Sequence, residues 1–200
     1  MPHPTQMAAA DTGLLVIDVQ DKLMAMIPRA PELIRNIAFL VDAARLLEIP
    51  VQATEQYPRG LGSTVAELAR RLPERPDKVA FSCCAIPAVA EGFHRAARPK
   101  VLLAGIEAHV CVQQTAFDLL TGGFRVYIAA DAVASRYPMD HEVALRRLEQ
   151  AGVILTTAEA AVFEWVGTAS APRFKEISRL VQERMQWLAS SQPRTPEPQP

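Results

Sequence analysis

A three-layer α/β/α domain built on a six-stranded, mostly parallel sheet is the fold this sequence predicts. Three observations lead there. Short apolar runs rich in Val, Ile and Leu alternate with amphipathic stretches along the chain. The runs are apolar almost throughout, as strands covered on both faces must be. Half of the 200 residues are hydrophobic, enough for one well-filled domain and too few for two.

The first run, Gly13 to Val19 (GLLVIDV), is interrupted only by Asp18. A helix follows Pro31, with Leu33, Ile34, Ile37, Leu40, Val41, Ala44 and Leu47 spaced by threes and fours, and Pro50 closes it. The second strand, Val51 to Thr54, enters the loop EQYPRGLGS, long enough to lie over a site, and a short helix is expected around Thr64 to Leu72. The third strand falls near Lys78 to Phe81, with a helix from Ile86 to Ala97 after it.

Val101 to Ala104 is the fourth strand, stopped by Gly105, and Cys111 opens the next helix with Val112, Ala116, Leu119 and Leu120 on its apolar side. Arg125 to Ala130 is the fifth strand, ending at Asp131. The helix from Asp140 to Ala151 turns Val143, Ala144, Leu148 and Ala151 inward before Gly152. Val153 to Thr156 is the sixth strand, followed by a helix from Ala158 to about Val166. The last helix begins at Pro172, with Phe174, Ile177, Leu180, Val181, Met185 and Leu188 on one side and Lys175, Glu176, Arg179, Glu183 and Arg184 on the other.

The single domain is expected over residues 12–190. Residues 1–11 are short and polar, and the tail 191–200 is rich in proline, so both ends are expected to be disordered or loosely held. The formal charge is −1, from 21 basic and 22 acidic residues, with no basic stripe, which argues against a nucleic-acid partner. No apolar run approaches the roughly 20 residues that span a bilayer, and no secretory leader pattern stands at the N-terminus, so no membrane partner and a cytoplasmic location are expected. Three cysteines without metal spacing fit reduced thiols.

In the common Rossmann-like order 3-2-1-4-5-6, strands 1 and 4 are neighbours where the winding reverses, and ligands bind beyond their C-terminal ends. Asp18 ends strand 1 and Cys111 follows strand 4, so that order brings a carboxylate and a cysteine to one crevice. A cysteine at a helix start, near unpaired N–H groups and a cation, gains thiolate character. Taken singly, Cys111 also reads as a small apolar core residue, Asp18 as a loop cap and Lys78 as a solvated strand end.

The phrases LLVIDVQDK, DKVAFSCC and AGIEAHVCVQQTAFDLL, in this order and spacing, resemble those of the isochorismatase-like cysteine hydrolases, and TEQYPRGLG and LAGIEAHVCV are similar to the isochorismatase domain-containing group. The likeness covers about Gly13 to Ile177. It implies the isochorismatase-like hydrolase fold and a catalytic Asp, Lys and Cys, which fall on Asp18, Lys78 and Cys111. It implies an oxyanion site at the amides of Cys111 and Glu107, with a cis peptide between Ile106 and Glu107. It also points to a homo-oligomer, a dimer or larger. Gln20, Tyr57 and Phe81 are the candidates for the substrate pocket.

The chemistry expected is attack by Cys111 on a small amide or related carbonyl compound, with Asp18 moving the proton and water hydrolysing the thioester. No cofactor and no metal are expected. The loop after strand 2, VQATEQYPRG, lacks the Asp-x-His pattern of the metal-dependent nicotinamidases. True isochorismatases lack the cysteine, so that activity is not expected. Glu107 disfavours an anionic substrate if it is ionised and faces the pocket, unless an Arg or Lys neutralises it. His109, two residues from Cys111, is read as structural. Cys83 and Cys84 are expected to line or underlie the pocket, since adjacent cysteines rarely form an unstrained disulfide. Two other readings remain open. One is a vestigial or interaction protein on the same fold. The other is a nucleotide- or flavin-binding protein, which neither a G-x-G-x-x-G after strand 1 nor a Walker A sequence supports.

Overall fold

The computed structural model describes residues 3–191, so the proline-rich stretch 192–200 lies outside the described residues. Strands β1 (Thr12–Ile17), β2 (Val51–Gln56), β3 (Asp77–Lys78), β4 (Lys100–Ile106), β5 (Arg125–Ala134) and β6 (Ile154–Thr156) form one sheet. Its order is β3-β2-β1-β4-β5-β6, and every ladder is parallel.

Helices cover both faces. On one lie α1 (Asp21–Met24), α2 (Ala30–Leu46) and α4 (Ala66–Ala69), with the single-turn α3 (Pro58–Leu61) beside α1. After α5 (Pro87–Arg95), α6 (Gln113–Thr121) and α7 (Pro138–Gln150) on the other face, α8 (Ala158–Val166) and α9 (Phe174–Ser191) return to the first. The period of two along each strand divides the core cleanly. Leu14, Val16, Leu102, Ala104, Tyr127 and Ala129 face α2, α8 and α9, whereas Leu15, Ile17, Val101, Leu103, Val126 and Ile128 face α5, α6 and α7.

The fold departs from expectation at several points. The N-terminal segment is not loose. Met7 is fully buried, its amide donates to Glu164 Oε2 at 2.7 Å, and Tyr127 Oη donates to the Thr5 carbonyl at 2.7 Å. One apolar side chain in a polar stretch anchors it. The third strand ends at Lys78, because β3 is an edge strand that meets only Glu55 and Gln56, and Val79 and Phe81 beyond it are exposed. The loop after β2 contains the single-turn α3, and the short helix after it shrinks to Ala66–Ala69.

The fifth strand runs four residues past Ala130. Between the pairs Leu103–Ile128 and Gly105–Val133, a step of two along β4 is matched by a step of five along β5, a bulge that carries the strand on and delivers Ser135 and Arg136 beside the end of β4. In α7 only Ala144 and Leu148 of the expected inward set are buried, while Val143 and Ala151 face outward. In α9 Arg184, expected on the polar side, is buried and Met185 is exposed. The guanidinium is drawn in by Asn36 (2.8 Å), Glu159 (2.9 Å) and Asp131 (3.0 Å).

The crevice at the ends of β1 and β4

Asp18 follows β1 with a φ of 52°, a left-handed conformation that Asp visits more readily than most residues. Its side chain is fully buried. Oδ1 accepts from the Thr54 hydroxyl at 2.8 Å and Oδ2 from Lys78 Nζ at 2.7 Å. Lys78, from β3, also donates to Gln56 Oε1 (2.7 Å) and the Phe81 carbonyl (3.0 Å), which uses all three ammonium protons. Burial works against the Lys78 charge, yet the Asp18 carboxylate beside it holds the ammonium above the usual lysine range.

Cys111 does not open a regular helix. A π-helical turn, Ala108–Val112, precedes α6, and the Glu107 carbonyl accepts from Val110 (3.1 Å) and Val112 (3.2 Å) rather than from Cys111. The Cys111 sulfur lies 3.9 Å from Gln56 Oε1, so one carboxamide oxygen faces both the thiol and the Lys78 ammonium. The expected thiolate bias is reversed. Burial, and after it the Asp18 charge, pushes the Cys111 thiol well above its ordinary value, and Lys78 offsets only part of this. The resting group is a thiol beside a carboxylate.

The peptide bond between Ile106 and Glu107 is cis. Glu107 is nearly buried and points at Arg136. Its Oε1 accepts from the Arg136 amide (3.0 Å) and Nε (3.2 Å), and its Oε2 from Nη2 (3.1 Å). His109 places Nδ1 2.9 Å from Ser135 Oγ and Nε2 3.7 Å from Asp140, so both ring nitrogens face residues other than Cys111.

Of the three pocket candidates, Gln20 turns its side chain to the backbone, and Tyr57 and Phe81 lie half exposed. Gln20 is fully buried and clasps the backbone: Nε2 donates to the Gln56 and Gly62 carbonyls (3.0 and 2.6 Å), and Oε1 accepts from the Gln56 amide (2.7 Å). It fixes the end of β2 and the loop after it. The Tyr57 ring lies over Gly60 and is half exposed. The Phe81 carbonyl accepts from Lys78 Nζ.

The sequence reading passed over Thr54, Gln56 and Arg136. Thr54 and Gln56 are two apart on β2 and so share a side of the strand, a signal hidden because the stretch reads as a strand end running into a loop. Cys83 is fully buried, 3.3 Å from Thr54 Oγ1, and its amide donates to Thr115 Oγ1 at 2.9 Å. Cys84 is half-buried. Among the described residues there is no group of three or more His, Cys, Asp or Glu side chains able to hold a metal ion. No described helix is long and apolar enough to cross a membrane.

A doubly wound parallel sheet with a buried carboxylate, an ammonium and a thiol at its switch point defines a hydrolase-type α/β fold. The chain belongs to the isochorismatase family: the isochorismatase domain matches residues 12–160. It is similar to isochorismatase domain-containing protein 2 of Homo sapiens, at 41% identity over 85% of this chain and 82% of that protein. It is also similar to the secreted isochorismatase effector Isc1 of Phytophthora sojae, at 39% identity over 86% and 85%. Among solved structures, MAR1 ribonuclease from Caenorhabditis elegans superposes with a TM-score of 0.84 at 41% identity, covering 98% of this chain and 99% of that one.

Proposed function

We propose that this protein is a cysteine hydrolase that cleaves a small amide or related carbonyl compound through a thioester on Cys111. The observation that carries the proposal is the Lys78–Asp18 pair, 2.7 Å apart and shut away from water, with the Cys111 thiol facing the same Gln56 oxygen as Lys78. A buried carboxylate beside a protonated thiol is arranged to take the proton as the sulfur attacks.

In the reaction we infer, Cys111 Sγ bonds to the carbonyl carbon while its proton passes to Asp18. The oxyanion is held by the amides of Cys111 and Glu107, and the tetrahedral adduct collapses as Asp18 returns the proton to the leaving amine. Asp18 then deprotonates a water, which attacks the thioester. The acid leaves, and the thiol regains its proton. Lys78, with all its protons engaged, acts as a fixed positive charge that keeps Asp18 an acceptor.

The charges around the crevice are paired, Asp18 with Lys78 and Glu107 with Arg136. That balance favours a neutral substrate. It also gives no excess of cations for a phosphodiester backbone, so the ribonuclease activity in the nematode protein's name is not part of this reading. Assembly of identical subunits belongs to the proposal and is supported by the exposed Tyr137, Met139 and Val143 at the start of α7. Size-exclusion chromatography with light scattering tests it.

A panel of small neutral amides, assayed by ammonia release with wild type and Cys111→Ala in parallel, tests the function. The expected result is turnover of at least one amide by wild type and a loss of about a thousandfold or more in the variant. Equal turnover by both proteins overturns the proposal. If no amide is hydrolysed and a small electrophile fails to label Cys111, a vestigial site takes its place, the reading that the burial of Cys111 favours.

A further inference from the structure

The Thr54 hydroxyl has a single proton, and the Asp18 carboxylate receives it at 2.8 Å. The same Oγ1 lies 3.3 Å from Cys83 Sγ. With the hydroxyl proton committed, only the Cys83 S–H is left to donate across that gap. Burial, and after it the Asp18 charge, pushes the Cys83 thiol up to about 11, so its proton stays in place at neutral pH. Thr54, Cys83 and Asp18 are all fully buried or nearly so, and water does not compete for these bonds. Cys83 is tied in turn to Thr115 on α6, the helix entered through Cys111.

We propose that Thr54 is a positioning residue for Asp18, and that Cys83 fixes the rotor of the Thr54 hydroxyl. The chain of donors runs Cys83 to Thr54 to Asp18 Oδ1. Lys78 occupies Oδ2, so each oxygen of the carboxylate has a partner that fixes it. The sequence reading had Cys83 lining or underlying the pocket; here it acts through Thr54 on the base. The inference rests on the reading of Asp18 as the proton acceptor.

The test is the rate at which iodoacetamide alkylates Cys111, followed by mass spectrometry of the peptide that carries it. Sγ displaces iodide from the reagent's methylene carbon, and the thiol proton goes to Asp18. Thr54→Val keeps the volume and loses the hydroxyl; Thr54→Ser keeps the hydroxyl and loses a methyl. A positioning role makes Val slow labelling roughly tenfold or more, while Ser retains most of the rate, because a hydrogen bond to a charged group is lost only in the first. A packing role gives the opposite ranking, and that result overturns the proposal, as does wild-type labelling in Thr54→Val. Cys83→Ala is expected to slow labelling about threefold and Cys83→Ser to restore it. Asp18→Asn separates the two readings. If it labels at the wild-type rate, the assignment of Asp18 as base falls and this inference with it; if it is slow while Thr54→Val is unaffected, only this inference falls.

Discussion

Lys78 Nζ lies 2.7 Å from Asp18 Oδ2, and the two side chains are 2% and 0% exposed. Removing one member of such a pair strands a buried charge. Lys78→Met is expected to destabilise the protein by about 3–5 kcal/mol. The double variant Lys78→Met with Asp18→Asn should lose less than the sum of the two single changes by about 1 kcal/mol or more. Urea unfolding of all four proteins measures the coupling, and strict additivity contradicts it.

Arg136 satisfies Glu107 with three hydrogen bonds. Arg136→Ala removes the two from the side chain and leaves the carboxylate nearly buried beside the turn that carries Cys111. The expected loss is about 1–3 kcal/mol, recovered in part by adding Glu107→Gln. Thermal unfolding of the single and double variants checks the order.

Gly105 sits at a φ of 123°, and a Cβ there meets the Ile17 carbonyl oxygen at 2.1 Å and the Ile17 nitrogen at 2.6 Å. Both obstacles are backbone, so nothing nearby is free to swing aside. Gly105→Ala should cost about 4 kcal/mol or more and force β1 and β4 apart at the crevice. A variant that melts within a few degrees of wild type contradicts this.

Glu55 contributes to the acid limb of stability. Burial works to raise its pKa, but the Thr64 amide and hydroxyl and the Arg75 guanidinium outweigh burial and hold the carboxyl below 4.5. A depressed carboxylate contributes stability that is present above its unfolded pKa and lost as pH falls through its folded one. Wild type should therefore exceed Glu55→Gln by about 1 kcal/mol near neutrality, and the gap should close progressively below pH 4.5. Lys78 has the opposite sign. Its raised pKa leaves its contribution constant through neutral pH and removes it only as pH rises beyond about 10.5.

The strands and long helices were legible because burial on both faces leaves an unbroken apolar run and burial on one leaves a stripe. The order of the sheet is the common one for alternating strands and helices, and no single residue of the sequence dictates it. What stayed hidden depends on partners distant in sequence. Arg184 reads as a solvated charge until Asn36, Asp131 and Glu159 are known to meet it. Thr54 and Gln56 read as ordinary polar residues until Asp18, Cys83 and Lys78 are known to meet them. Gln20 stood next to the right strand, but its side chain went to backbone atoms that no motif announces.

The N-terminal segment holds to the edge where the strands begin. Met7 reaches Glu164, Thr5 meets Tyr127, and the Asp11 carbonyl accepts from Lys100, the first residue of β4. The crevice lies at the opposite edge. A support coupled through that N-terminal segment would grip the protein by its far side, so that immobilised molecules would share one orientation and present their crevices to the flow.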